Sequence, residues 1–409
     1  MVVTLNRNYA HLVSASFAIL LTAGSLVYAT TYAQAIEEKY VHALAPRMIL
    51  QSESGIALQQ TAFRQPDLLV IYGSSEMIYG NTHYISYDFF QNYPTGFNVY
   101  EVAKAGAASL NIAQDLAAIG SDLRGKKVVF SFTPNMFNQS QVNPQAYGAD
   151  FSLLHANALI FNRGLSLETK QLAAIRMNDY PDTFIKDPIL KMGVEQLACR
   201  CTTGIYLYDL VLPLGELNAW IIRMQDHWAV LDYIKNNPNL SSIVSRKSAQ
   251  IDWSSELQQA RTAARQYANN NPYGIENGAW TKFYARILTL PKKPGSADTM
   301  FIQNLGKSKE WTDFDLALRI LKELGGKPLI LSRPINGRVW NTIGISPAAR
   351  KEYYDKLRRT IAPYGFSYVD FQIYDGDQYF SVDPSAHTSR EGWVYVNEIL
   401  DSFFHGPIH

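Results

Sequence analysis

Cysteine is nearly absent from this 409-residue chain: Cys199 and Cys201 are the only two. A single residue separates them, a spacing at which a disulfide is expected to be strained, so no structural bridge is predicted. Nor does the pair supply enough ligands for a metal site, and neither a metal nor a cofactor is expected. Leu197-Ala198-Cys199 has the form of a lipoprotein processing box, but it stands mid-chain, far from any signal segment, and is read as coincidence. An excess of either charge is missing as well: 37 lysines and arginines face 36 acids, a net charge of +1. Without a basic stripe there is no electrostatic footprint for nucleic acid, and no nucleic-acid partner is expected. Repeats and low-complexity tracts are also absent. What is abundant is apolar surface, 47% of residues, enough to bury one large core or two domains.

From His11 to Ala35 no residue is Asp, Glu, Lys or Arg, and the run contains Phe17-Ala18-Ile19-Leu20-Leu21 and Leu26-Val27. About 20 apolar residues suffice to cross the hydrocarbon core of a membrane as a helix. Arg7 precedes the run, and Glu37, Glu38 and Lys39 follow it. A basic residue on the cytoplasmic side leaves the rest of the chain outside. Residues 1–35 are therefore read as a membrane anchor and 36–409 as an extracytoplasmic domain. Ala33-Gln34-Ala35 also fits a signal-peptidase site, which would leave a cleaved, secreted chain instead.

Beyond a mixed polar connector at 36–66, Asp67–Tyr72 is an apolar run of strand length, ended abruptly by Gly73-Ser74-Ser75-Glu76. Phe97–Val102 reads as a second strand, 107–120 as a helix and Lys127–Phe132 as a third strand. Strand, helix and strand in succession predict an α/β fold, a parallel sheet covered by helices. From about 137 to 290 the pattern turns to helices and loops, a helical insertion splitting the sheet domain. Within it Leu210–Ile234 is apolar, but Asp209, Glu216, Arg223 and Asp226 favour a docked helical layer over a second membrane span. The α/β pattern resumes with a helix at 313–324, a strand at 327–332, a helix at 347–361, a strand at 366–370 and a last helix at about 389–403.

Two places carry candidate chemistry. Ligands in open α/β sheets bind beyond the carboxyl ends of the strands. Gly73-Ser74-Ser75-Glu76 stands at such an end, where a serine can present its hydroxyl beside backbone N–H groups that face an oxyanion. An ordinary helix N-cap explains the same four residues, since serine followed by an acid is favoured at helix starts. The far end of the chain supplies Asp383-Pro384-Ser385-Ala386-His387 before Gly392-Trp393. Serine becomes a good nucleophile only when a base takes its proton, and imidazole suits that work near neutrality. A carboxylate a few residues before the histidine can orient the ring; alternatively, Asp383 caps a turn and His387 is a loop histidine.

Gly-x-Ser near the first strand with Asp and His near the C-terminus resembles the layout of the SGNH hydrolases. Within them the sequence is similar to the DltD family, the D-alanine transfer proteins of teichoic acid modification. The likeness covers nearly the whole chain, through the N-terminal apolar run, Gly73-Ser74-Ser75-Glu76, Asn270-Asn271-Pro272-Tyr273-Gly274-Ile275, Trp311-Thr312-Asp313-Phe314 and Arg333-Pro334-Ile335-Asn336-Gly337. It continues in Tyr353-Tyr354, Tyr364-Gly365-Phe366, Val369-Asp370-Phe371 and His387 with Gly392-Trp393. The resemblance implies Ser75 as nucleophile, His387 as base and Asp383 as its partner. It implies an oxyanion hole from Ser75, the backbone of Gly106 and the side chain of Asn135, where the family often has glutamine. The family spaces its last two residues Asp-x-x-His, whereas this chain carries one residue more.

The function so implied is that of a membrane-anchored serine acyltransferase, moving D-alanyl groups to teichoic acid outside the membrane. Its expected partners are a membrane-bound O-acyltransferase (DltB-like), the teichoic acid acceptor and the D-alanyl carrier protein. The same triad would also serve an esterase, a thioesterase or an O-acetyltransferase on another surface polymer. A non-catalytic adaptor of the membrane partner would need no contact between Ser75 and His387.

Overall fold

The computed structural model describes residues 7–45, 55–78, 82–139, 142–240, 250–286, 288, 290–385 and 387–406, with the backbone alone for residues 7, 8 and 78. The elements that position the site begin with α1 (Arg7–Leu44), α2 (Ile56–Arg64), β1 (Leu68–Gly73), β2 (Asn98–Ala103), α3 (Ser109–Ile119) and β3 (Lys127–Phe132). A helical stretch follows, including α4 (Leu153–Ile160), α5 (Pro188–Ala198), α6 (Thr202–Asn236) and α7 (Trp253–Tyr267). Alternation then resumes with α8 (Glu310–Glu323), β4 (Lys327–Ser332), α9 (Pro347–Ile361), β5 (Ser367–Val369) and α10 (Arg390–His405).

The strands form one parallel sheet in the order β2-β1-β3-β4-β5. Side chains alternate across a strand, so β1 sends Val70 and Tyr72 to one face and Leu69 and Ile71 to the other. Helices α2, α3, α8 and α9 cover the first face, while α7 and α10 cover the second. With both faces buried, the inner strands β1, β3 and β4 read as largely apolar runs instead of alternating ones. The chain is thus α/β, a parallel sheet surrounded by helices with an apolar helix at its N-terminus.

Helix α1 runs unbroken through Ala35 to Leu44. Phe17, Ile19, Leu20 and Leu21 in its first half are exposed, whereas Ala33, Glu37, Val41 and Leu44 in its second half are buried. Those four recur every three or four residues, one helical face, which packs on α2 and α6. Polar contacts hold the junction. Buried Glu37 pairs with His227 Nδ1 at 2.6 Å, and Asp226 accepts the N–H groups of Gly55 and Ala57 at 2.9 and 2.7 Å.

Helix α6 is a single element of 35 residues. Its inner face, with Tyr208, Gly215, Ala219 and Val230, is buried against α4, α5 and α1. A Cβ on Gly215 would lie 2.2 Å from Phe161, so only glycine admits that ring. Its outer face exposes Tyr206, Leu210, Leu214, Leu217 and Trp228. By length and hydropathy this helix, like α1, is able to cross a membrane.

One expectation is corrected. Cys199 and Cys201 do form a disulfide, with Cα atoms 5.3 Å apart. Arg200 between them takes a left-handed φ of 52°, folding the chain back between α5 and α6. The Cα separation then falls inside the range a disulfide spans.

The Asn-Asn-Pro-Tyr-Gly-Ile turn braces the segment that leads to His387, where the Glu276 N–H donates to Val382 O at 3.0 Å. Asn271 Oδ1 accepts the N–H groups of Tyr273 and Ile275, each at 3.1 Å. Gly274 sits at φ 71°, where a Cβ would lie 1.6 Å from Gln378 O. Gly274→Ala is therefore expected to destabilise the fold by about 2 kcal/mol or more, combining left-handed strain with a backbone clash. Thermal unfolding of the purified variant checks this, and an unchanged midpoint would refute the account.

Candidate active site

The apolar run of β1 ends at Gly73, where a Cβ would meet Met77 Cγ at 2.5 Å and Glu76 Oε1 at 2.8 Å. Glycine here allows the chain to turn sharply into the helical turn Ser75–Ile78. Glu76 Oε1 accepts the Ser74 N–H at 3.0 Å. The Ser74 hydroxyl donates to Lys104 O at 3.1 Å and accepts the Gly106 N–H at 3.2 Å, tying the ends of β1 and β2 together. Ser75, half-buried, is left with its hydroxyl facing outward from the turn.

His387 reaches that hydroxyl from 312 positions away, with Nε2 at 3.0 Å from Ser75 Oγ. Its other ring nitrogen, Nδ1, lies 2.6 Å from Asp383 Oδ2. A carboxylate on Nδ1 fixes the ring proton there and turns the Nε2 lone pair toward the serine O–H. The loop is pinned at its base by an antiparallel bridge, Ser381 to Thr388, and by the Val382 N–H donating to His387 O at 2.9 Å.

Asp383 is buried, and its second oxygen, Oδ1, accepts the N–H groups of Ser385 (2.8 Å) and His387 (3.3 Å). The aspartate thus caps the turn and holds the imidazole at once. The additional residue before His387 is taken up in the capped turn; Ala386 itself lies outside the described residues.

Gly106, at φ 90°, and Asn135 both line a cavity of about 310 Å³ together with Ser74, Ser75 and Glu310. The Gly106 N–H is engaged by the Ser74 hydroxyl, and Asn135 Nδ2 donates to Pro384 O at a long 3.4 Å. An incoming oxyanion near Ser75 would compete with these two weak acceptors for both donors. A second cavity of about 400 Å³, walled by Tyr284, Leu288, Trp340 and Ile343, shares Asn135 and Ser385 with the first. Among the described residues no cluster of His, Cys, Asp and Glu could hold a metal ion.

Beneath the serine turn lies a group the sequence did not reveal as a unit. Arg333, fully buried, stacks its guanidinium over Trp393 at 4.8 Å and donates to Met77 Sδ at 3.4 Å. Glu76 and Glu101 are buried beside it. Burial pushes both carboxyls up, Glu101 to about 8, with the Arg333 charge opposing the rise. Burial also pushes Arg333 down to about 10, so it stays a cation at neutral pH. Sequence reasoning also passed over Glu310, which directly precedes the Trp311-Thr312-Asp313-Phe314 block.

The family model described as DltD protein matches residues 46–405. Over 393 residues the chain is 27% identical to Protein DltD of Bacillus subtilis (strain 168), covering 95% of each chain. It is 22% identical to Protein DltD of Staphylococcus aureus (strain NCTC 8325 / PS 47), covering 93% of this chain and 92% of that one. With Protein DltD of Lacticaseibacillus rhamnosus it shares 22% identity over 78% of this chain and 74% of the relative.

The buried acid Glu101 makes a test of the charge group possible. It holds its proton up to about 8 in the fold, against an ordinary 4.5. Between those values the folded chain binds more protons than the unfolded one, so stability falls as pH rises through that window. Below it the contribution is complete. Glu101→Gln cannot ionise and should flatten this part of the pH dependence, measured as urea midpoints across the window. An unaltered slope would show that Glu101 ionises freely.

Proposed function

This chain belongs to the DltD family, and we propose that it is a membrane-anchored serine acyltransferase carrying D-alanyl groups to teichoic acid on the outer side of the membrane. The observation that carries the reading is the continuous line of contacts from Asp383 through His387 to Ser75. An adaptor has no need of it, and the line joins residues from opposite ends of the chain.

In the proposed cycle Ser75 Oγ attacks the carbonyl carbon of an activated D-alanyl group while its proton passes to His387 Nε2. The carbonyl π electrons move onto oxygen, and the Ser75 and Gly106 N–H groups with Asn135 Nδ2 stabilise that oxyanion. Collapse expels the donor's thiol or alcohol, which takes the proton from His387, and leaves D-alanyl-Ser75. A polyol hydroxyl of the acceptor then attacks, giving its proton to His387. The second collapse returns that proton to Ser75 and releases the new ester. Asp383 keeps the ring in its working tautomer and stabilises the imidazolium at each half-step. In this scheme a membrane-bound O-acyltransferase (DltB-like) relays the acyl group that a D-alanyl carrier protein brings.

The exposed apolar half of α1 supports residues 1–35 as a retained anchor, with 36–409 as an extracytoplasmic SGNH-like domain and 137–290 as its helical insertion.

Mass spectrometry after incubation with the membrane partner and charged carrier should find a D-alanyl adduct on Ser75. Ser75→Ala should lose the adduct and surface D-alanylation while unfolding within about 0.5 kcal/mol of wild type. Asp383→Asn should fold, yet transfer about 10³- to 10⁴-fold more slowly. Normal D-alanylation in Ser75→Ala cells would overturn the enzyme reading in favour of an adaptor.

Topology has its own test, because the native cysteines are bridged and silent to thiol reagents. Lys307→Cys places a single thiol at an exposed position. An impermeant maleimide should label it on intact cells, and the mature protein should retain residues before Ile36. Labelling only after lysis, or a mature N-terminus at Ile36, would contradict the proposed arrangement.

A further inference from the structure

We propose that Glu310 recognises the ammonium of the D-alanyl unit while the acyl carbonyl sits at Ser75, an inference that rests on the acyl-transfer reading of that site. Glu310 is the first residue of α8 and lines the same cavity of about 310 Å³ as Ser75 and Gly106, yet it is only 2% exposed. Its Oε1 accepts the Ser109 N–H at 2.7 Å, at the start of α3. No described residue forms a hydrogen bond with Oε2.

A carboxylate held inside a protein with one oxygen unmatched is costly unless a cation meets it. No lysine or arginine among the described residues lines this cavity. Arg176, the nearby cation that does act on Glu310, is bound by Asp313 at 2.7 Å and by Asp179. An ammonium on the substrate is a cation that the cavity lining itself does not supply. An alanyl ester carries one ammonium, two bonds from its carbonyl carbon, and one methyl. Both find a match in the lining of this one cavity, the acid for the ammonium and Ala107 and Ala108 for the methyl.

Electrostatics agree with this assignment. Burial, with the charge of Asp313 adding, pushes Glu310 up to about 8, while the Ser109 hydrogen bonds and Arg176 pull the other way. An arriving ammonium supplies the opposite charge that restores the ionised form. Capping α3 through Ser109 is a structural role for the same side chain, and it engages Oε1.

Two thioesters of N-acetylcysteamine, D-alanyl and propionyl, differ in the ammonium alone and separate the two roles. Full-length wild type and Glu310→Gln in detergent would be compared by thiol release, with Ser75→Ala as the blank. The ratio of kcat/KM, D-alanyl over propionyl, should fall about 10- to 100-fold in Glu310→Gln, the loss expected for one charge-assisted hydrogen bond. An unchanged ratio would make Glu310 a cap only and overturn the inference while leaving the Ser75 reading standing. Failure of wild type to turn over either thioester faster than Ser75→Ala would sink both. Should Glu310→Gln not fold, wild type decides alone. Corrected for each thioester's uncatalysed hydrolysis, it should favour D-alanyl at least about tenfold, and equal rates would refute the assignment.

Discussion

Parallel strands all finish on the same edge of their sheet, and that constraint organises everything the molecule does with its side chains. β1, β2 and β3 lie adjacent, so the turns after them put Ser75, Gly106 and Asn135 around one cavity. No single turn contains a working site. Ser75 comes from the turn after β1, and His387 comes from a loop that closes just before α10. The cost is topological. Each parallel neighbour requires a crossover, and the histidine loop can be seated only when the last helix packs. The insertion between β3 and β4 lengthens that path without disturbing the edge, because β3 and β4 pair over their full lengths.

The turn at Ser75 is supported from below by buried charge as well as by apolar side chains such as Met77 and Trp393. Arg333 follows β4 directly and Glu101 lies within β2, so the sheet order aims both at the underside of the turn that holds Glu76. Removing three ionisable groups from water is expensive, and several of their polar atoms have no hydrogen-bond partner among the described residues. Stacking of Arg333 on Trp393 returns part of that cost, roughly 2 kcal/mol for a desolvated pair. An apolar filling would be more stable but would not fix the turn's direction. Such a local loss of stability is what a site with an imposed geometry is expected to carry.

Legibility in the sequence follows the range of the forces involved. Lys127–Phe132 and Lys327–Ser332 were readable to the residue, because doubly buried strands leave unbroken apolar runs. Ser75 and His387 were readable as residue types at element ends, although each alone fits a helix cap or a surface loop. The dual use of Asp383 was not: one residue capping a turn through one oxygen and gripping a ring through the other is a fact of loop geometry. The Cys199–Cys201 bridge escaped because Arg200 adopts a conformation that L-residues seldom choose, and spacing alone argues against it. Glu310 escaped for a different reason. An acid at a helix start is unremarkable in sequence, and only the fold shows it buried and lining the same cavity as Ser75.

The junction between α1 and the domain bears on how such a site would meet its substrates. A flexible tether would let the domain sample a wide volume above the membrane, whereas the described residues show α1 continuing as helix into the domain's own packing. Glu37 is buried against His227, and Asp226 receives the backbone of α2, so turning the domain about α1 would leave buried polar groups unmatched. Leaving a buried polar group without its hydrogen bond typically costs about 1–3 kcal/mol, well above thermal energy. The direction of the Ser75 edge relative to α1 is therefore fixed by the fold. If α1 spans the bilayer, the height and facing of the acyl site are fixed with it. On the proposed function, the acyl donor and the polymer would then be brought to Ser75, because the domain does not swing to find them.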